Sequence, residues 1–380
     1  MGNFCFWISH SIFNAVMQQQ LKKVLSVTIA WIFISLVNNF IGLAAILDSN
    51  YIGENRIQIA KEGFWDGIYV SISSALLSGI IGGSVLVFIW EKWLRTKPYG
   101  WTLRNIFITY IILFNIISIP TILLNNSLAN SYGLFSAEAW SEVVKAYQSP
   151  SLLVPFFFWM MVVLLTLIAF LINDKYGPGV FRKFLLGKYF SPTKEERIFM
   201  FLDLRSSTTI AEKLGEERYF NFIRYAFELI TPAILKNGGE IYQYVGDEIV
   251  VSWEKEKGIR KSQFLDCFFD TQKIILDHRD KFLKEYSVIP EFKAGVHYGH
   301  VMAGEIGVVK REIAYSGDVL NTTARIQSKC NELGVNILIS GDLLAQVSKT
   351  DIRTQDFGFM DLKGKAEQLQ LYGIEQTVAK

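Results

Sequence analysis

Four long apolar segments dominate the first half of the chain. Each reaches the length of about 20 residues that an α-helix needs to cross the hydrocarbon core of a bilayer. The segments are Val24–Leu47, Ile68–Trp90, Leu103–Leu124 and Leu152–Ile172, and charged residues are concentrated after Asp174. The sequence therefore predicts a four-helix transmembrane domain over residues 24–173, joined to a cytoplasmic catalytic domain over residues 196–380.

Basic residues set the expected orientation of this domain, because lysine and arginine next to membrane helices favour the cytoplasmic side. They are Lys22, Lys23, Lys92, Arg95, Lys97, Arg104, Lys175, Arg182 and Lys183. The connections Asp48–Gly67 and Asn125–Pro150 carry more acidic than basic residues, as outer loops do. We therefore expect a multi-pass protein in the lipid bilayer of the cell membrane, with both termini in the cytoplasm.

Two shorter segments flank the membrane helices. Within residues 1–23, the apolar stretch Phe4–Val16 is too short to span, which predicts an interfacial helix or a cytoplasmic cap. Residues 174–195 contain the helix-breaking run Tyr176–Gly179 and form either a simple hinge or a transducing linker. The serines and glycines of the second membrane segment are typical of close helix packing, which we favour over a ligand pocket.

Charge and cysteine content exclude some classes of protein. The net charge of +2 is too small for a typical nucleic-acid-binding protein, so no nucleic-acid partner is expected. The three cysteines are far apart and show no spacing typical of a metal knuckle or a disulfide framework.

The second half alternates short apolar runs with amphipathic stretches, which predicts a ferredoxin-like α+β domain. The predicted strands are Ile198–Leu202, Glu240–Tyr244, Ile249–Trp253, Phe292–His297, Glu312–Tyr315 and Ile337–Ser340. The predicted helices are Ala211–Lys236, Gly258–Phe282 and Leu320–Asn331.

Two aspartates lie at the ends of predicted strands. Asp203 closes the first strand, and Asp247 lies in the hairpin turn that follows the second. A carboxylate so placed is held rigidly enough to bind Mg²⁺ or Mn²⁺ while a triphosphate completes the shell. We assign Asp203, Leu204 and Asp247 to a site for two divalent cations, although each aspartate alone is also compatible with ordinary turn chemistry.

A hydroxyl-rich run follows Asp203 and leads into a helix. Its backbone N–H groups and the hydroxyls of Ser206, Ser207 and Thr208 are placed to face phosphate oxygens. N-capping of the helix by one of these side chains is the alternative.

A further polar pair, Asn321 and Arg325, is spaced so that both side chains lie on one face of a helix. In order and spacing, Asp203, Asp247 and this pair resemble the class III nucleotidyl cyclases. The resemblance runs from Phe199 to Lys365. It implies that Asn321 and Arg325 are catalytic, orienting the ribose and stabilising charge on the α-phosphate, and that a homodimer shares its sites between chains.

The two positions that select the base are where this chain departs from the family pattern. Adenylate cyclases of the family usually carry Lys where this chain has Gln243, and Asp or Thr where it has Ala314. Guanylate cyclases carry Glu and Cys at the same two positions. A glutamine amide can pair with adenine but also with other bases. Lys363 and Lys365 resemble the family's C-terminal lysine loop, which contacts the triphosphate, or are solvated surface lysines.

The function that these patterns favour is a membrane-bound adenylate cyclase, which converts ATP to 3′,5′-cyclic AMP and pyrophosphate. A guanylate or other nucleotidyl cyclase of the same mechanism is the first alternative. A diguanylate cyclase is a second, because Gly246-Asp247-Glu248 resembles part of its signature turn, but Val245 departs from that signature. A catalytically silent cyclase-like receptor is the third, and the intact site residues argue against it.

Overall fold

The computed structural model describes residues 2–48, 56–130, 133–176, 187–309, 311–347, 352–363, 365 and 367–376. The chain divides into two compact units, of which one comprises residues 14–174 and the other residues 175–380 with residues 1–13. Of the predicted linker, residues 177–186 lie outside the described part, and so do Arg182 and Lys183.

The described residues of the first unit form helices joined by short turns. Its helices are α1 (Gly2–Asp48), α2 (Arg56–Val85), α3 (Glu91–Thr96), α4 (Tyr99–Asn130), α5 (Ala137–Gln148) and α6 (Leu153–Tyr176), of which α1 and α6 include residues assigned to the other unit. A π-helical stretch, Leu86–Trp90, joins α2 to α3. The helical stretches long and apolar enough to cross a membrane are Gln20–Leu47, Phe64–Thr96, Tyr99–Ser127 and Pro150–Asn173, which confirms the four predicted segments. Phe4–Val16 continues α1, and α5 was not predicted.

Small residues let α1 and α2 approach closely, as predicted. A Cβ atom added to Gly79 would lie 2.7 Å from the Cα of Thr28, so this position has room only for glycine. Indole and phenol groups also form hydrogen bonds between the helices. Trp31 donates from Nε1 to Thr166 Oγ1 at 3.2 Å, and the Tyr110 hydroxyl donates to the carbonyl oxygen of Phe156 at 2.6 Å.

The second unit is a mixed α+β domain, which confirms the predicted class. Its strands are β1 (Thr193–Leu204), β2 (Glu240–Val245), β3 (Glu248–Glu254), β4 (Phe292–Ile306), β5 (Glu312–Ser316), β6 (Ile337–Ser340), β7 (Ile352–Met360) and β8 (Leu369–Gln376). Its helices are α7 (Ser207–Leu214), α8 (Glu216–Lys236), α9 (Lys255–Ile259), α10 (Gln263–Asp277), α11 (Arg279–Tyr286), α12 (Asp318–Leu333) and α13 (Gly341–Leu344).

The strands form one eight-stranded sheet in the order β2-β3-β1-β4-β6-β8-β7, with β5 paired to β4. Strand β1 is antiparallel to both of its neighbours, and among the described strands only β4 and β6 are parallel. In this register Asp203 lies between Glu248 of β3 and Lys293 of β4. Residues directly opposite on antiparallel strands share a face, so these three side chains are neighbours.

Alternation along β1 assigns its two faces. Ile198, Met200 and Leu202 are buried in the large core, which also contains apolar side chains of α8 and α10. Phe199 packs on the other face with Val319 of α12. Because Asp203 has the parity of Phe199, its side chain lies on the face that α12 covers.

Several predicted boundaries are wrong. The helix predicted over Ala211–Lys236 is broken at Gly215, whose φ of +75° is a conformation that favours glycine and ends α7. The helix predicted over Gly258–Phe282 is likewise divided into α9, α10 and α11. Strands β7 and β8 were not predicted, and β1 and β4 extend beyond their predicted ends.

Candidate active site

Asp203 is held at the end of β1 by two side chains from different elements. Lys293 of β4 places its Nζ atom 3.1 Å from Asp203 Oδ2, and Gln327 of α12 donates from Nε2 to the same oxygen at 2.6 Å. Lys293 and Gln327 are both buried. The carboxylate is therefore oriented by contacts before any ligand binds, as a rigid site requires.

Asp247 lies in the turn between β2 and β3. Gly246 precedes it with a φ of +62°, which a glycine adopts without strain. Asp247 is close enough to Asp203 for their charges to interact. Burial raises the pKa of Asp203, and the charge of Asp247 raises it further, against the lowering effect of Lys293. The structure thus brings the two predicted metal aspartates together.

Glu248 adds a third carboxylate to this cluster. Burial raises the pKa of Glu248 to about 7, and the charges of Asp203 and Asp247 contribute in the same direction. Mutual repulsion of this kind is what a bound cation relieves. Leu204 has a hydrocarbon side chain, so only its main-chain oxygen is suited to a cation.

The donor set fits a cation whose shell is completed by a substrate. Across the described ranges, no group of three or more His, Cys, Asp or Glu side chains is arranged to hold a metal ion alone. Magnesium is commonly bound by one or two carboxylates together with phosphate oxygens and water. Asp203 and Asp247 fit that pattern, because together they offer two carboxylates.

The hydroxyl-rich run begins α7 next to Asp203. Ser206 precedes the helix with a φ of +53° and makes no side-chain capping bond, so its hydroxyl does not cap the helix. Ser207 and Thr208 occupy the first turn. Arg205, in the same run, is turned away from this surface, because it donates to Asn331, Asn336 and the carbonyl of Val335.

Asn321 and Arg325 lie in the first half of α12. Asn321 is exposed and Arg325 is half-buried, whereas Gln327 of the same helix is buried against Asp203. Arg325 lies about 200° around the helix axis from Gln327, so the two side chains point in different directions. The Nη1 atom of Arg325 is buried and has no hydrogen-bond partner among the described residues.

Gln243 and Ala314 lie on two strands that are not paired but are in contact through neighbouring tyrosines. Gln243 is an exposed residue of β2 next to a β-bulge, and Ala314 is in β5 opposite Gly304. Their sequence neighbours Tyr242 and Tyr315 are in ring contact at 4.9 Å. The structure therefore places the two predicted base-contacting positions in the same region of the domain.

The two predicted lysines differ in their surroundings. Lys365 forms an ion pair with Asp318 at the start of α12, with Nζ and Oδ2 3.2 Å apart. Partial burial raises the pKa of Asp318, but the hydrogen bond and charge of Lys365 lower it more, so that it lies below its usual range. Lys363 is exposed in the preceding turn. Lys365 is thus at the same helix end as Asn321, whereas Lys363 is a surface residue.

Four residues of the site were not predicted: Lys293, Gln327, Glu248 and Tyr219. Lys293 had a signal, because it is a lysine within the apolar first part of its strand, Phe292–Val296. Tyr219 of α8 had none. Burial raises the pKa of its hydroxyl, the charge of Asp247 raises it further, and a hydrogen bond with Ser207 acts against both. Tyr219 is therefore near both Asp247 and Ser207.

Comparison with known proteins identifies this domain. Residues 191–376 match the family described as the adenylate and guanylate cyclase catalytic domain. "Adenylate cyclase 2" of Rhizobium meliloti (strain 1021) is 34% identical over 204 residues, which are 53% of this chain and 56% of that protein. "Adenylate cyclase 1" of the same organism is 24% identical over 190 residues, which are 49% of this chain and 28% of that protein.

The chain thus spans 56% and 28% of the lengths of these two relatives. Among solved structures, a bacterial light-regulated adenylyl cyclase superposes with a TM-score of 0.49 at 19% identity, covering 60% of this chain and 65% of that one. The family match coincides with the domain that carries Asp203, Asp247, Asn321 and Arg325. Residues 191–376 of this chain thus form a domain of the adenylate and guanylate cyclase catalytic type.

Proposed function

We propose that this protein is a membrane-anchored adenylate cyclase that converts ATP to 3′,5′-cyclic AMP and pyrophosphate. The observation that carries the proposal is the meeting of Asp203 and Asp247 beside the start of α7, with Asn321 and Arg325 presented by α12. A non-catalytic domain has no use for such closely spaced carboxylates, whose mutual repulsion is costly without a cation.

Each residue has a role in the proposed reaction. Asp203, Asp247 and the main-chain oxygen of Leu204 hold two divalent cations, which when bound lower the pKa of the ribose 3′-hydroxyl and offset the charge of the triphosphate. The N–H groups and hydroxyls of Ser206, Ser207 and Thr208 bind phosphate oxygens. The 3′-oxygen then attacks the α-phosphorus in line, and pyrophosphate leaves.

The remaining roles fall to α12 and to the loop before β8. Asn321 orients the ribose, and Arg325 stabilises the charge that develops on the α-phosphate. Lys365, together with Lys363, contacts the triphosphate. The unpartnered Nη1 of Arg325 supports its role, because a buried guanidinium donor normally has an acceptor, and a phosphate oxygen is a suitable one.

We propose that two chains share each site. Gln327 faces Asp203 of its own chain, so Asn321 and Arg325 of that helix point elsewhere. A symmetric homodimer would bring Asn321 and Arg325 of one chain to the aspartates of the other and form two equivalent sites.

ATP is the proposed substrate because both Rhizobium relatives are named adenylate cyclases. Gln243 and Ala314 would contact the base, with the glutamine amide able to pair with adenine through a donor and an acceptor.

The membrane arrangement is also a proposal. Glu91 at the start of α3 bonds Lys23 at 2.7 Å and Arg95 at 2.6 Å. These bonds place basic residues of α1 and α3 at one end of the bundle, which the positive-inside bias assigns to the cytoplasm. Both termini and the catalytic domain are then cytoplasmic, and residues 174–195 carry any signal between the two units.

The test of the reaction uses the full chain purified in detergent with Mn²⁺ and, separately, ATP, GTP, CTP and UTP, with products identified by mass. We expect cyclic AMP from ATP, and a loss of at least about 10²-fold in Asp203→Ala, because a cation ligand is removed. Asp280→Ala is the matched control, since its side chain is 92% exposed on α11. Cyclic GMP as the main product would overturn the substrate, and no product from any nucleotide would overturn the activity.

The test of the shared site mixes two inactive variants, Asp203→Ala and Asn321→Ala. In a mixed dimer one site contains both substitutions and the other contains neither. Half of randomly exchanged dimers are mixed, so roughly one quarter of wild-type activity should return. Sites contained within single chains would return none.

A further inference from the structure

The membrane unit contains a cavity between its helices. The volume is about 190 Å³, and α1, α2, α4 and α6 all contribute to its wall. Five aromatic side chains line it: Trp31, Trp90, Tyr110, Phe114 and Trp159. An apolar cavity of about 150 Å³ is sufficient to hold a benzene ring. This space therefore has the volume for a small ring-containing molecule.

One part of the wall is polar. Ser74 and Ser78 of α2 and Thr121 of α4 contribute hydroxyls to it. Each hydroxyl already donates to a carbonyl of its own helix: Ser78 to Ser74 at 2.6 Å, Thr121 to Ile117 at 2.8 Å and Ser74 to Ser71 at 3.3 Å. Their unused capacity is as acceptors, because a hydroxyl has one hydrogen and two lone pairs.

Three of the four aromatic N–H and O–H donors at the cavity are also engaged. The indole N–H of Trp90 donates to Thr109 Oγ1 at 2.9 Å, that of Trp31 donates to Thr166, and the hydroxyl of Tyr110 donates to Phe156. A ligand would therefore find acceptors on the wall and few free donors. The matching chemistry is an apolar molecule with one hydrogen-bond donor, such as a phenol or an alcohol.

The cavity also adjoins an irregular part of the backbone. Trp90 ends the π-helical stretch Leu86–Trp90, and the next residue, Glu91, holds Lys23 and Arg95. Isolated π-helical turns occur frequently at functional sites. From the sequence we favoured close helix packing over a pocket in this part of α2. Both are present: Gly79 packs against α1, and other residues of α2 line the cavity.

We propose that this cavity is a binding site for a small, membrane-soluble phenol or alcohol. Ring and chain atoms occupy the space between Trp31, Trp90 and Trp159, and the hydroxyl donates to the serine and threonine side of the wall. The proposal concerns the helical unit alone and stands whether or not the catalytic domain uses ATP.

The test is quenching of tryptophan emission by 4-bromophenol in the full chain purified in detergent. Three of the nine tryptophans line the cavity, so a saturable component of at most about a third of the emission is expected. 4-Bromoanisole has the same ring without the donor and should bind about fivefold more weakly, as for the loss of one hydrogen bond. Equal binding of the two compounds would overturn the proposed ligand chemistry.

Two variants fill the cavity from two different helices, Ser78→Leu of α2 and Thr121→Leu of α4, and both should lose the saturable component. Ser73→Leu is the matched control, because Ser73 also bonds a carbonyl of its own helix, at 2.7 Å from Tyr69, but does not line the cavity. Saturable quenching in either filled variant, or only linear quenching in the wild type, would overturn the site.

Misfolding could also abolish saturable quenching in the filled variants, so a third variant enlarges the cavity and is expected to gain binding. Leu113 lines the wall, so Leu113→Ala should admit 6-bromo-2-naphthol and show saturable quenching that the wild type lacks. Identical responses of Leu113→Ala and the wild type to the larger probe would contradict the assignment.

Discussion

The two units of this chain use apolar residues in opposite ways. In the catalytic domain, large apolar side chains such as Phe222 are completely buried between the sheet and its helices. In the helical unit, many of the largest are on the outside, with Phe33 68% exposed and Val154 72% exposed. The buried share of the four candidate spans is only 11–39%. Apolar content alone therefore does not indicate a core.

The polar groups differ in the same manner. In the helical unit, serine and threonine hydroxyls mostly donate hydrogen bonds to backbone carbonyls of their own helix, as for Thr28, Ser73 and Thr109. In the catalytic domain, the polar contacts that matter join distant parts of the chain, as when Gln327 bonds Asp203. Helices satisfy their backbone locally, whereas a site built at strand ends requires several elements to meet.

The largest expected effect is on stability, in a comparison of a buried phenylalanine with an outward-facing one. Phe222→Ala leaves a cavity among Phe282 and Tyr286, so it should lower the free energy of unfolding of the catalytic domain by about 3–5 kcal/mol. Phe33→Ala removes an outward-facing side chain of α1 and should change stability by less than about 0.5 kcal/mol. Thermal unfolding of the full chain in detergent measures both. Equal losses would mean that Phe33 is covered by protein.

A second comparison concerns close packing within the helical unit. Gly79→Ala places a Cβ atom against the backbone of Thr28, so α1 and α2 must separate, at a cost of about 1–3 kcal/mol. Gly42→Ala is the matched control, because a Cβ atom there meets nothing within 4 Å. Resistance of the helical unit to sodium dodecyl sulfate measures the difference. A tolerated Gly79→Ala together with a damaging Gly42→Ala would reverse the assigned contact.

The smallest effect concerns the carboxylate cluster. The pKa of Glu248 is raised from 4.5 to about 7 in the fold, so the folded chain binds its proton more tightly than the unfolded chain. Stability from this group is therefore lost as the pH rises from about 4.5 to 7. Without added metal at pH 8, Glu248→Gln should be more stable than the wild type by about 1 kcal/mol, after allowance for solvent screening.

Thermal unfolding with and without Mn²⁺ measures this effect. Bound cation should remove most of the difference, because it offsets the same repulsion that Glu248→Gln relieves. A wild type that is equally stable at pH 5 and pH 8 without metal would contradict the raised pKa.

The predictions that succeeded rest on local patterns. The four spans follow from uninterrupted apolar length, and β6 was predicted at its observed bounds, Ile337–Ser340. Strand β7 was missed because most of its residues are exposed, so it shows no apolar face. The break at Gly215 was missed because a glycine inside an amphipathic pattern does not by itself reveal its φ angle.

By itself, the sequence predicted the candidate site residues Asp203, Asp247, Asn321 and Arg325 and the four long apolar segments, because strand ends, apolar length and helical spacing are properties of neighbouring residues. Only the tertiary structure decided that Lys293 and Gln327 hold Asp203, that Tyr219 lies beside Asp247, and that a cavity opens between α1, α2, α4 and α6. These contacts join residues far apart in the chain. Their geometry depends on how whole elements pack, which no local pattern encodes.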